Sequence, residues 1–192
     1  MQEWLLVTAV RYPRISRLLR IVLEYFSIYI ISKPYDIDGV GKQSRLCSEI
    51  GAKKNGFYVE LGAYDGYFHS PTYYLYAALG WRGILIEPLP TPYARAKLNR
   101  PGDIVLNYVV GGAQSGETLK LGLAGISSSV VQESKNSITM TSMPLSSILH
   151  ENVRDKQSIN LLVLDVEGYE IQVIEGLDLT KYAPDFILCE CQ

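Results

Sequence analysis

This sequence predicts an α/β fold, a mostly parallel sheet with helices on both faces, because three apolar runs separated by helical stretches each end in a carboxylate. Phe57-Tyr-Val-Glu-Leu-Gly-Ala-Tyr-Asp-Gly66 alternates β-favouring residues, then closes on Glu60 and a glycine-rich turn. Gly83-Ile-Leu-Ile-Glu87 is the second run, and Leu161-Leu-Val-Leu-Asp165 is the third, continuing into Val166-Glu-Gly-Tyr-Glu170. Alternation of strands and helices from residue 57 onward implies parallel strands joined by crossovers. The expected strand order is third-second-first-fourth-fifth. That Rossmann-like arrangement opens a crevice at the carboxyl edge beside the first strand.

The elements follow in order. Residues 4–31 are apolar, but Arg11, Arg14, Arg17, Arg20 and Glu24 interrupt them, so no charge-free run reaches the ~20 residues of a membrane span. Ile15, Leu18, Leu19, Val22, Phe26 and Ile30 share one helical face. That face either packs on the domain or on a second subunit, or lies in a lipid interface with its arginines toward anionic head groups. The domain division is a leader over residues 1–34 and a second unit over residues 35–192, with a short helix at residues 44–50. Residues 71–79 read as a helix with Pro71 in its first turn and Gly80 after its end. Residues 92–99 form a further helix and residues 104–110 the next strand. Residues 118–121 and 138–143 are strand-like, and between them Gly125-Ile-Ser-Ser-Ser-Val130 is either a cover over the crevice or a solvated connector. Helices are expected at residues 145–150 and 170–176, with the buried strand at residues 159–164 and a last strand at residues 186–190.

The strand-end acids carry the chemistry. Glu87 lies some ~20 residues beyond the glycine loop, where an acid accepts hydrogen bonds from both ribose hydroxyls of a nucleoside; the alternative is a strand-end acid facing solvent. The loop reads Glu60-x-Gly62-x-x-x-Gly66 and lacks the pattern that wraps a pyrophosphate. A carboxylate beside it repels a diphosphate and suits a cation. S-adenosyl-L-methionine carries a sulfonium and an ammonium and no phosphate, which favours a methyltransferase over a nicotinamide dehydrogenase. A hydroxyl acceptor needs a base, and Asp165 or Glu167 can take its proton; the alternative for Asp165 is a helix N-cap. His69 is another proton carrier near the crevice, whereas His150 belongs on an exposed helix surface. Two carboxylates also suit a divalent ion, but no third ligand is evident, so no metal is expected.

Val59-Glu-Leu-Gly-Ala-Tyr-Asp-Gly66, Ser70-Pro-Thr-Tyr73, Gly80-Trp-Arg-Gly-Ile-Leu-Ile-Glu-Pro88 and Leu164-Asp-Val-Glu-Gly-Tyr-Glu170 together resemble the ordered motifs of the FkbM-type S-adenosylmethionine-dependent methyltransferases. The resemblance covers roughly residues 55–192. It implies a class I methyltransferase sandwich and an O-methyltransferase that modifies hydroxyls, often on sugars or glycans. It also implies a cofactor site at Glu60, Gly62, Ala63, Tyr64, Asp65, Gly66, Glu87, Pro88 and Asp165, with acceptor contacts from Ser70, Thr72, Ser128 and Ser129. Pro71 departs from the asparagine usual in similar sequences. The sequence stops at Glu190-Cys-Gln192, so the fold is expected without the last C-terminal strands of such domains.

Composition bounds the rest. With 192 residues, 47% of them hydrophobic and 20% charged, the chain can bury one core. A net charge of −2 gives no broad basic face, which argues against nucleic acid as the partner. The expected partners are the small-molecule cofactor and a carbohydrate acceptor, with membrane contact or dimerisation left to the leader. Cys47, Cys189 and Cys191 lack metal spacing, and Cys189 and Cys191 are expected to point together into a core. A reducing, cytoplasmic location follows, peripheral to a membrane if the leader binds lipid. A different class of function is a non-catalytic module that keeps the fold for binding or scaffolding.

Overall fold

The computed structural model describes residues 42–51, 53–114, 116–122 and 137–189. The leader helix, the serine loop with Ser128 and Ser129, and Cys191 lie outside the described residues.

Helix α1 (Lys42–Glu49) precedes β1 (Phe57–Leu61), α2 (Tyr73–Ala78), β2 (Arg82–Ile86), α3 (Pro90–Asn99) and β3 (Ile104–Leu106). The strands β4 (Val109–Gly111), β5 (Thr118–Gly122) and β6 (Ser137–Pro144) follow. The chain then forms α4 (Leu145–Asn152), β7 (Leu161–Leu164), α5 (Glu170–Glu175), α6 (Leu179–Tyr182) and β8 (Phe186–Cys189).

The main sheet has the order β3-β2-β1-β7-β8, and every neighbouring pair in it is parallel. This is the expected Rossmann-like order, with the direction of strand addition reversing beside β1. Period-two alternation sorts its side chains cleanly. Val59, Leu61, Ile84, Ile86, Leu162 and Leu164 pack with Leu145, Ile148 and Leu149 of α4 on one face. Tyr58, Leu85, Leu161 and Val163 pack with Leu46 of α1, Leu75 of α2 and Trp81 on the other.

Two expectations change. Residues 104–110 are not one strand: the run breaks after Leu106, where Asn107 turns its side-chain amide onto the carbonyls of Glu87 and Pro88, both at 2.8 Å. The chain beyond the break joins a second sheet of order β4-β6-β5, in which the two strand-like runs pair antiparallel from Thr118↔Thr141 to Gly122↔Ser137. Cys189 is exposed rather than buried in a core, because among the described residues β8 is the outermost strand of its sheet. The short helix α6, which the sequence reading missed, starts at Asp178, whose side chain accepts from the backbone N–H of Thr180. Among the described residues no helix is long and apolar enough to cross a membrane.

Candidate functional site

Strand register brings the glycine loop and two of the acids to one edge. Leu61 pairs with Ile86 on one side and Leu164 on the other, so Gly62, Glu87 and Asp165 emerge side by side. The ladder continues one step past the strands: the N–H of Gly62 donates to Ile86 O at 3.0 Å, and that of Asp165 to Leu61 O at 3.3 Å. Gly62, at φ +73°, needs its missing side chain for packing against protein, because a Cβ there would lie 1.8 Å from the backbone oxygen of Asp165. Gly66 is similar: its Cβ would meet Cγ of Arg100 at 2.9 Å and Leu85 at 3.1 Å.

Glu87 follows β2 on one side of Gly62, only 5% exposed. One carboxylate oxygen accepts from the N–H of Tyr64 at 2.9 Å and the other from Leu89 at 2.8 Å. Burial pushes its carboxyl up to about 7, against the two backbone N–H groups that favour the charged form, with Asp65 nearby adding to the rise. Tyr64, at φ +48°, is half-buried, and burial first, then Asp65, raises its hydroxyl above the usual range. Asp65 closes the loop on itself, accepting from the N–H groups of Tyr67 at 3.0 Å and Phe68 at 2.7 Å.

Beneath the loop lies a buried polar network. Glu60 falls on the Tyr58 face of β1, where its carboxylate accepts from the hydroxyls of Ser70, at 3.0 Å, and Thr72. Arg100, with no exposed surface, is the hub. Its Nε donates to Asp103 at 2.8 Å, Nη1 to Gly66 O at 2.8 Å, and Nη2 to the hydroxyls of Tyr58 at 2.6 Å and Thr72 at 2.7 Å. The guanidinium carbon lies 4.7 Å from the Tyr76 ring centroid and 5.6 Å from that of Tyr73. Burial opposes its charge, yet Tyr58, Asp103 and Glu60 together hold its pKa above the ordinary value. Burial likewise pushes Glu60 up, with Arg100, Thr72 and Ser70 pulling it back.

Asp165, Val166 and Glu167 are half-buried at the end of β7. Glu170 organises their turn: its Oε1 accepts from the N–H of Val166 at 3.2 Å and of Gly168 at 3.1 Å. Glu167 occupies the left-handed region at φ +54°, as His69 does at φ +60°. Strain of this kind costs about 1 kcal/mol or more at a non-glycine residue.

The expected residues therefore divide. Gly62, Tyr64, Asp65, Gly66, Glu87 and Asp165 share the carboxyl edge and its loop, with Glu167 in the adjoining turn. Ala63 is in the core, and Pro88 is half-buried with its carbonyl on Asn107. Glu60 is turned to the interior, 2% exposed, because alternation along β1 places it with Tyr58. Ser70 and Thr72, expected at the acceptor, are 2% and 0% exposed with their hydroxyls on Glu60, so in this conformation they offer no surface to a ligand. His69 is half-buried beside Phe68, and His150 is exposed on α4, with Lys181 Nζ at 3.2 Å from its Nδ1. Asp165 does not cap α5, since Tyr169 takes that position. Sequence reasoning missed Arg100, Asp103, Asn99 and Asn107; the signals available were a polar-rich C-terminus of α3 and the period-two position of Glu60. Among the described residues no group of three His, Cys, Asp or Glu side chains could hold a metal ion.

Comparison with known proteins places this arrangement. A solved methyltransferase FkbM from Methylobacillus flagellatus KT is similar over 64% of this chain and 28% of its own, at 14% identity and a TM-score of 0.39. The chain thus spans well under half the length of that relative. No curated protein matches. The family model described as the methyltransferase FkbM domain matches residues 60–192, from the end of β1 through the glycine loop, Glu87 and the Asp165 turn. The chain belongs to the FkbM methyltransferase domain family.

Proposed function

We propose that the crevice beside β1 binds S-adenosyl-L-methionine and that the domain methylates a hydroxyl oxygen of a sugar or glycan. The observation that carries the reading is Glu87, a buried carboxylate in register with Gly62 and Asp165 and joined to the loop at Tyr64. A carboxylate has lone pairs beyond those that its two backbone donors use, so it can accept from ribose hydroxyls as well. With Glu60 withdrawn into the interior, Glu87, Asp65 and the half-buried Asp165 and Glu167 are the acids of this edge and its adjoining turn. That set suits a cationic ligand and disfavours a diphosphate. The residues present therefore fit the cofactor: Glu87 for the ribose, with the loop of Gly62, Tyr64, Asp65 and Gly66 beside it.

When bound, S-adenosyl-L-methionine would supply an electrophilic methyl group on a cationic sulfur, the methyl carbon–sulfur bond breaking so that the sulfur leaves as a neutral thioether. The chain's own task is alignment and proton removal. Asp165 or Glu167 takes the acceptor's proton as its oxygen forms the new bond to carbon. The backbone at Asp165 is fixed by Leu61 O, and Glu170 holds the following turn, so neither acid waits on a loop to form. His69 is the reserve candidate. The hydroxyl and sugar specificity rest on the family likeness, and a cytoplasmic protein touching a membrane or a second copy through its leader rests on the arginine-interrupted apolar stripe. Incubation with radiolabelled S-adenosyl-L-methionine and a panel of free and linked saccharides tests the reading. Label transferred to a saccharide supports it; saturable cofactor binding without transfer to any hydroxyl acceptor counts against O-methylation.

A further inference from the structure

The β2–α3 unit holds the glycine loop at three consecutive residues. At its start, Glu87 accepts from the N–H of Tyr64 at 2.9 Å. At its end, Asn99 Nδ2 donates to the carbonyl of Asp65 at 2.8 Å, and Arg100 Nη1 donates to the carbonyl of Gly66 at 2.8 Å. Backbone carbonyls and N–H groups of a turn are normally satisfied by the turn itself or by water; here the end of one helix supplies two of the partners. Arg100 is in turn fixed by Asp103, whose second oxygen accepts from the N–H of Gly83 in β2 at 2.9 Å. A fully buried guanidinium with each nitrogen engaged has little freedom to move, so the loop carbonyl bonded to it has little either.

We propose that Asn99 and Arg100 are positioning residues for the ligand loop: they set its conformation from the C-terminus of α3 without touching the ligand. Because α3 begins at Pro90, three residues after Glu87, the ribose acid and the loop then behave as one preorganised body. The binding consequence rests on reading this loop as the cofactor site; the conformational consequence does not.

Hydrogen–deuterium exchange on the full chain without cofactor, together with calorimetric titration of S-adenosyl-L-methionine, tests this in Asn99→Ala and Arg100→Lys. In Asn99→Ala, loss of one hydrogen bond should speed exchange of the loop at residues 64–70 by about fivefold or more, with β1 and β7 exchanging as in the wild type. Cofactor affinity should fall by a similar factor, and Arg100→Lys, which restores charge but not the fork, should show a larger loop effect. Loop exchange unchanged in a folded Asn99→Ala overturns the proposal. So does acceleration spread evenly over β1 and β7, the signature of general destabilisation. If Arg100→Lys fails to fold, Asn99→Ala decides alone. A wild type that binds no cofactor, with the loop still selectively loosened in Asn99→Ala, sinks the proposed function and leaves the positioning role standing.

Discussion

A Cβ on Gly62 would stand 1.8 Å from the backbone oxygen of Asp165, so the first residue of the ligand loop and the acid that follows β7 are in backbone contact. The closeness follows from register, since Leu61 pairs with Leu164 and each chain leaves the sheet at the next residue. Substitution of Gly62 therefore acts on the fold before it acts on any ligand. Gly62→Ala combines a clash against backbone with a positive φ that alanine disfavours, and should destabilise by several kcal/mol. Thermal melting without cofactor checks this; a melting temperature within a degree or two of the wild type contradicts the contact.

Glu87 gives a pH dependence with a definite sign. Its carboxyl is raised from 4.5 to about 7 on folding, so the stability linked to it is fully present below 4.5 and is lost as pH rises through about 7. Ribose hydroxyls donate to the charged form, so cofactor affinity should run the opposite way, strengthening as pH rises through about 7. In Glu87→Gln the stability loss should vanish over that window and the affinity should become flat. Calorimetry and melting curves at pH 5, 6, 7 and 8 read both trends.

The buried network predicts asymmetric stability effects. Arg100→Met leaves Asp103 and Glu60 in the interior without their cation, which should cost about 3–5 kcal/mol. Adding Glu60→Gln to that variant removes one of the stranded acids and should recover part of the loss, a coupling that urea unfolding of the double-mutant cycle measures directly.

What was legible in the sequence, and what was not, follows from which effects are local. Glu87 and Asp165 were legible because an apolar run that ends in an acid marks a strand leaving a sheet, and the order of the parallel strands then fixes the edge they share. Glu60 looked like a third such acid. Alternation with Val59 and Leu61 put it on the Tyr58 face instead, and its partner, Arg100, is 40 residues away in sequence, brought in only when α3 folds back over the loop. Ser70 and Thr72 turn inward with Glu60 because their hydroxyls donate to its carboxylate. The break at Asn107 was hidden because the residues on either side of it remain β-favouring, and only the amide bonds to Glu87 and Pro88 redirect the chain.

The Asp165 turn separates base from scaffold. Asp165→Asn or Glu167→Gln should lower turnover about a hundredfold in whichever variant loses the base, with cofactor binding largely kept. Glu167→Gly should relieve the positive φ and stabilise by about 1 kcal/mol while abolishing any role of that carboxylate. Turnover on an identified acceptor and melting temperature, measured side by side, check the pair, and a chelator control separates a base from a metal ligand. Wild-type turnover in both charge-removing variants would pass the role to His69.

Whether the crevice at β1 is a cofactor site organised by Glu87 is decided by calorimetric titration of S-adenosyl-L-methionine into the wild type and Glu87→Ala. Binding to the wild type should be saturable and one-to-one, with a loss of about tenfold or more in the variant, the effect of leaving both ribose hydroxyls without their acceptor. Equal affinity in two folded proteins, or no binding to the wild type, would contradict it.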